Sequence, residues 1–221
     1  MSVKDTTENK ERDWRAIGDS LLARGKYKDA AKAYDKALKI NPQLSDVWYK
    51  KGYALDILGK LKIAIKAFDK AIEISPQFAD AWLNKGNALV KLGKFEDAIA
   101  ALDKAIEIRP DSVGAWHNKG VALVGLGKPE EAILAYSKAI ELNPNDPDAW
   151  LNMGAALGIL GKLEDAVVAL DRAIEINPND PDVWHNKSNA LRLLGRTREA
   201  YEALIRAKEL KRDIGKKITK I

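Results

Sequence analysis

The six tryptophans of this 221-residue chain fall on one strict period. They are Trp14, Trp48, Trp82, Trp116, Trp150 and Trp184, each 34 residues after the last, and none lies off that grid. A period of this length restricts a chain to repeat architectures, in which each unit buries its apolar face only against its neighbours. Other residues keep the same register. Four after Trp come Gly18, Gly52, Gly86, Gly120 and Gly154, then Ser188. Eleven after come Gly25, Gly59, Gly93, Gly127, Gly161 and Gly195. Alanines stand sixteen after (Ala30, Ala64, Ala98, Ala132, Ala166, Ala200) and twenty-three after (Ala37, Ala71, Ala105, Ala139, Ala173, Ala207). Pro42, Pro76, Pro110, Pro144 and Pro178 close their units, with Arg212 in the last.

Each unit holds two helix-length segments separated by the unvarying Gly, which suits the left-handed backbone that ends a helix. The second segment stops before Pro, because the residue preceding a proline disfavours the α conformation. Asp146-Pro147 and Asp180-Pro181 read as an N-cap followed by Pro in the first helical position, and Pro129 likewise opens a second helix. Small residues at the Gly and Ala positions let paired helices approach closely, with Trp and Leu filling the remaining gap.

The pattern of Trp, Gly, Ala, aromatic-or-Leu, Ala and Pro resembles that of the tetratricopeptide repeat family. On that register the repeats run 11–44, 45–78, 79–112, 113–146, 147–180 and 181–214, after a polar extension at 1–10 and before a basic tail at 215–221. Two positions depart from the family pattern. Three after Trp, where a large apolar residue is usual, stand Lys51, Lys85, Lys119 and Lys187, with Ile17 and Met153 keeping the rule. Seven after Trp, Leu21, Leu55, Leu89, Leu123, Leu157 and Leu191 replace the usual Tyr and fill the apolar slot equally well. The lysines are expected to lay their stems across the packing seam with their heads in water. The predicted product is all-α, one right-handed superhelical solenoid of antiparallel helix pairs.

At ~100° per residue, the positions four, seven and ten after Trp share its face and belong to the core. The opposite side of the first helix is not core, and the resemblance implies that it lines a concave groove. Two after Trp, Asn84, Asn118, Asn152 and Asn186 form a ladder, preceded by Ala16 and Lys50. An Asn amide offers a donor and an acceptor, so each rung can hold one peptide unit of an extended segment. Leu83, His117, Leu151 and His185 alternate one after Trp. Asn87, Val121, Ala155 and Asn189 stand five after, with Val90, Val124, Gly158 and Arg192 eight after. The middle of the groove is therefore small, apolar and studded with Asn. The ladder can also be inherited scaffold that braces neighbouring helices, and the Leu/His alternation can record duplication of a two-repeat block. A clamp for a C-terminal carboxylate, known in some members of the family, does not fit. Leu83, Asp148 and Asn152 stand where its cations would be, although Asn87 and Asn118 agree.

Other chemistries find little support. There are no cysteines, hence neither disulfides nor Cys-ligated zinc. His117 and His185, the only histidines, lie two repeats apart, too far to share a metal. No Gly-rich loop follows a strand, no catalytic cluster stands out, and the tryptophans read as core rather than as a stacking platform for bases. Neither enzymatic activity nor a cofactor is expected. No apolar run approaches ~18 residues, so no membrane span is expected, and a cytoplasmic location is. Hydrophobic residues at 46% argue for a folded chain.

The net charge of +5 invites a nucleic-acid reading that its distribution weakens. Residues 1–44 carry 10 basic and 7 acidic groups, 45–180 carry 16 and 20, and 181–221 carry 11 and 5. The basicity sits at the two ends, not along a stripe. Beyond the last repeat, Ile214, Ile218 and Ile221 form an apolar stripe among lysines, readable as an amphipathic cap or as a contact for another subunit. The expected function is a non-catalytic adaptor that binds an extended peptide or partner segment in its groove. The alternative is a scaffold that self-assembles through its ends or its C-terminal extension.

Overall fold

The computed structural model describes residues 3–218, with side chains over 8–215. Among these there are twelve helices and no strand. The first helices of the repeats are α1 (Val3–Ala23), α3 (Ser45–Ile57), α5 (Ala79–Lys91), α7 (Val113–Gly125), α9 (Pro147–Ile159) and α11 (Pro181–Leu193). The second helices are α2 (Tyr27–Ile40), α4 (Leu61–Ile74), α6 (Phe95–Ile108), α8 (Pro129–Leu142), α10 (Leu163–Ile176) and α12 (Thr197–Ile218). Consecutive helices pack as antiparallel pairs. The chain divides into two units of three pairs each, Met1–Asp111 and Ser112–Ile221. Inside each unit, every second helix also packs against the first helix of the next pair.

Local stop signals set the pairs. All six glycines eleven after Trp adopt positive φ, from 69 to 76°. In the first hairpin the amide of Gly25 bonds Leu22 O at 3.0 Å and that of Lys26 bonds Leu21 O at 2.9 Å. Together these bonds satisfy the last carbonyls of the helix and reverse the chain. At the other end of the repeat, Asn41 is extended with φ −133°, which ends α2 ahead of Pro42. The expected caps are present. Asp146 accepts from the amides of Asp148 and Ala149, and Asp180 from that of Asp182, each with Pro in the first turn.

Close approach within each pair depends on the glycine four after Trp. A Cβ on Gly18, Gly52, Gly86, Gly120 or Gly154 would stand 2.4 to 2.7 Å from Tyr34, Phe68, Leu102, Tyr136 or Leu170. Ser188, the exception, is buried and donates its hydroxyl to Ala200 O at 2.7 Å. The periodic alanines complete a core of small side chains around these larger ones.

The tryptophans are half-buried rather than enclosed. Indole N–H groups of Trp48, Trp82, Trp150 and Trp184 each donate at 2.9 Å to the carbonyl of Pro42, Pro76, Pro144 or Pro178. Each of these indoles thus ties its helix to the loop that enters it. The lysines three after Trp depart from expectation, for their heads do not simply enter water. Lys51 pairs with Asp35 at 2.6 Å and Lys85 with Asp69 at 2.7 Å, while Lys187 pairs with Asp171. The same ammonium groups lie 4.7, 5.2 and 5.6 Å from the centroids of Trp48, Trp82 and Trp184. Stem and head both serve the seam between repeats.

Candidate functional site

The two units present first-helix faces of different character. In Met1–Asp111 that face carries three ion pairs, Arg15 with Asp46 at 2.6 Å, Lys50 with Asp19 at 2.9 Å, and Lys91 with Asp56 at 2.7 Å, beside exposed Tyr53 and Ile57. Asp19 also accepts from the Tyr34 hydroxyl at 2.8 Å. Burial and the Asp19 carboxylate hold that phenol well above its ordinary range. Asn84 donates at 2.9 Å to Tyr49 Oη, whose ring packs on Phe68 and Phe78. Burial pushes the Tyr49 phenol up too. Leu83 and Asn87 are half-buried, and Asn87 Oδ1 is buried without a hydrogen-bond partner.

In Ser112–Ile221 the face is smaller and more apolar. Asn118 donates to Gly114 O of its own helix at 2.9 Å. Asn152 Nδ2 lies 3.2 Å from His117 Nε2 on the preceding first helix, and the His117 ring meets Tyr136 edge-on at 5.8 Å. Leu151 packs instead against the cluster of Leu170, Ala173 and Val183. The position one after Trp therefore belongs as much to the seam between helices as to an open face. Its neighbour two after Trp has one amide N–H engaged at Asn84, Asn118 and Asn152, which fixes each amide and leaves its oxygen and second N–H to other partners. His185 is exposed on α11, apart from His117 on α7. Val121 and Val124 are half-buried on α7.

A hollow of about 310 Å³ opens between α9 and α11. Gly154, Ala155, Gly158 and Ala190 contribute to its floor, with Ile159, Leu163, Leu170 and Leu193 around them, and Asn186 and Asn189 add amides. Nothing lies within 4 Å of where a Gly158 Cβ would be, so the absent side chain is what leaves the space. Ile159 and Leu193, nine after their tryptophans, are 62% and 60% exposed. Of the residues singled out from sequence, the structure thus gathers Ala155, Asn186 and Asn189 around one cavity. It joins Asn152 to His117 in a separate contact and leaves Asn84, Leu83 and Asn87 on the other unit. Ile159 and Leu193 were not singled out from sequence, because the position nine after Trp is otherwise held by Ala23, Ile57, Lys91 and Gly125 and shows no pattern that marks them.

At the end of the chain, α12 runs well past the length of the other second helices, and Ile214 is 44% exposed. The side chain of Ile218 and the whole of Ile221 lie outside the described residues. Among the described residues there is no group of three or more His, Cys, Asp or Glu able to hold a metal ion. No helix among them is long and apolar enough to cross a membrane.

Comparison with known proteins places this architecture. No curated protein matches the chain in sequence. Among solved structures it is similar to YrrB, described as a TPR protein with an unusual peptide-binding site. The identity is 26%, covering 83% of this chain and 94% of that one with a TM-score of 0.69. It is also similar to MamA, at 26% identity over 78% of this chain and 94% of that one, with a TM-score of 0.73. The fold is shared with PilF of Pseudomonas aeruginosa, at 20% identity over 93% of each chain, with a TM-score of 0.77. The family model of the cilia and flagella-associated protein 70 C-terminal domain matches residues 1–217. The chain is thus a protein–protein interaction module of the tetratricopeptide repeat type, and it belongs to the family of the cilia and flagella-associated protein 70 C-terminal domain.

Proposed function

We propose that the chain is a non-catalytic, cytoplasmic adaptor that holds an extended peptide segment against the first helices of Ser112–Ile221. The hollow beside Gly158 takes one large apolar side chain of that peptide. The observation that carries the reading is the cavity itself, with exposed Ile159 and Leu193 at its edge and the Asn186 and Asn189 amides lining it. An apolar pocket with a few convergent polar groups is the usual form of a specific anchor site. Burying a Leu or Phe there contributes roughly 1.5–3 kcal/mol. The amides bond the backbone on either side of the anchor, so the peptide must be extended to reach both. The likeness to YrrB, a protein described by its peptide-binding site, supports the same class of ligand. The ladder residues Asn118 and Asn152, with Val121 and Val124, extend the binding face from the anchor along α9 and α7.

Selection from a random peptide library displayed on phage tests this reading. The selected peptides are expected to share one large apolar residue, and Asn186→Ala with Asn189→Ala should weaken them about tenfold or more, with helical circular dichroism unchanged. Selected peptides that bind the double variant at full affinity would overturn the assignment.

A further inference from the structure

The seams between repeats follow a rule that the two ends of the chain invert. Within the units, the residue twenty-four after Trp shares an apolar cluster with the residue just before the next Trp, as in Leu38 with Val47 and Ile174 with Val183. The residue seventeen after Trp meets an alanine six after the next Trp, as in Ala31 with Ala54 and Val167 with Ala190. The acid twenty-one after Trp pairs with the lysine three after the next Trp, as in Asp35 with Lys51 and Asp69 with Lys85.

The first repeat has only the incoming half of this rule and the last repeat only the outgoing half. On α1 the incoming positions are Asp13, Ile17 and Ser20. On α12 the outgoing positions are Lys208, Ile205 and Tyr201. All six are exposed, Tyr201 by 64%, Ile17 by 43% and Ile205 by 39%. Laid together in the register of an internal seam, they match position by position, with the chemistry exchanged at the first two. Lys208 faces Asp13 where two apolar side chains meet inside the array. Ile205 faces Ile17 where an Asp–Lys pair stands. Tyr201 faces Ser20, a large side chain over a small one, as Ile or Val faces Ala in most internal seams.

We infer that the chain stacks head to tail on a second copy of itself, α12 of one copy against α1 of the next, through this inverted seam. A cap built only to be wetted has no use for exposed Ile and Tyr at seam positions. A face built for an unrelated partner has no reason to complement the far end of its own chain at all three positions. The flanking segments carry opposite net charge. Residues 1–13 carry three basic and four acidic groups, and 208–221 carry six basic and two acidic. The contact is heterologous, so it adds copies in one direction rather than closing as a symmetric pair. The inverted code also keeps the ends from invading internal seams, since Ile205 against a seam lysine would leave that ammonium unpaired.

Sedimentation equilibrium of the full chain over a concentration series tests the stack. The wild type should gain mass with concentration. Ile205→Asp and Ile17→Lys should each weaken association about tenfold or more, because each sets a charge against an isoleucine. A 1:1 mixture of the two variants should recover association, since every seam in it can be either Asp–Lys or Ile–Ile. Recovery on mixing is a result that damage to the fold does not produce, and thermal melts of each variant check the fold directly. A wild type that stays monomeric to millimolar concentration would overturn the inference, as would variants that associate like the wild type or a mixture no better than its components. None of these substitutions touches the Gly158 hollow, so peptide binding is read independently.

Discussion

Gly120 and Gly158 both sit inside first helices of the same unit, and their surroundings demand opposite things. A Cβ at Gly120 would come within 2.4 Å of the buried Tyr136 ring, whereas one at Gly158 would meet nothing. Gly120→Ala should therefore lower stability by about 1–3 kcal/mol, the usual cost of overpacking. Gly158→Ala should raise it by about 0.5–1 kcal/mol, since a helical glycine gives up backbone entropy for no packing gain. Thermal or urea unfolding of the two variants measures both signs. The periodic glycines were legible in the sequence because they repeat with the fold. Gly158 was visible only as one small residue among several, because the hollow also needs side chains from a helix 34 residues away. The tyrosines add a second residue-scale consequence. Tyr34 and Tyr136 are held by burial well above the ordinary phenol value of 10.0. Their raised folded values stabilise the protein below the unfolded value, and that contribution is lost as pH rises beyond it, because the unfolded chain releases protons first. Stability should fall progressively above about pH 10. Tyr34→Phe with Tyr136→Phe should flatten the fall in urea midpoints measured from pH 8 to 11.

At the scale of the element, each repeat is specified twice, by stop signals along the chain and by contacts across it. The stop signals were fully legible, since the positive-φ glycines, the prolines and the Asp–Pro caps act on residues close in sequence. Asp180→Ala should cost about 1 kcal/mol of stability by orphaning the Asp182 amide at the start of α11. The cross-chain contacts were not legible. Lysines recur three after Trp and acids twenty-one after, but nothing in the sequence states that Lys51 and Asp35, on α3 and α2, face each other. Asn84 with Tyr49 and Asn152 with His117 were hidden for the same reason, being 35 residues apart. The seam rule explains one irregularity. Where the fifth repeat has Met153 in place of Lys, the fourth has Ser137 in place of Asp. A double-mutant cycle with Met153→Lys and Ser137→Asp should show favourable coupling of about 0.3–1 kcal/mol, read from urea midpoints. No coupling there would mean that the two exchanges are unrelated.

For the whole molecule, the basic net charge that first suggested nucleic acid is confined to the ends. Ion pairs stand beside exposed Tyr53 and Ile57 on the first-helix face of Met1–Asp111, while the face of Ser112–Ile221 holds an apolar hollow lined by two amides. Family membership makes the chain an interaction module; the proposed contacts put its specificity in positions where the repeats differ from one another, Gly158, Ile159 and Leu193 for a peptide and Ile17 and Ile205 for a second copy. The most direct test of the peptide anchor is calorimetric titration of a library-selected peptide into the wild type and into Gly158→Leu, a substitution that fills the hollow from its own floor. The expected result is a loss of affinity of about tenfold or more in the variant, with an unchanged melting profile below the transition. Equal affinity for the two proteins would contradict it.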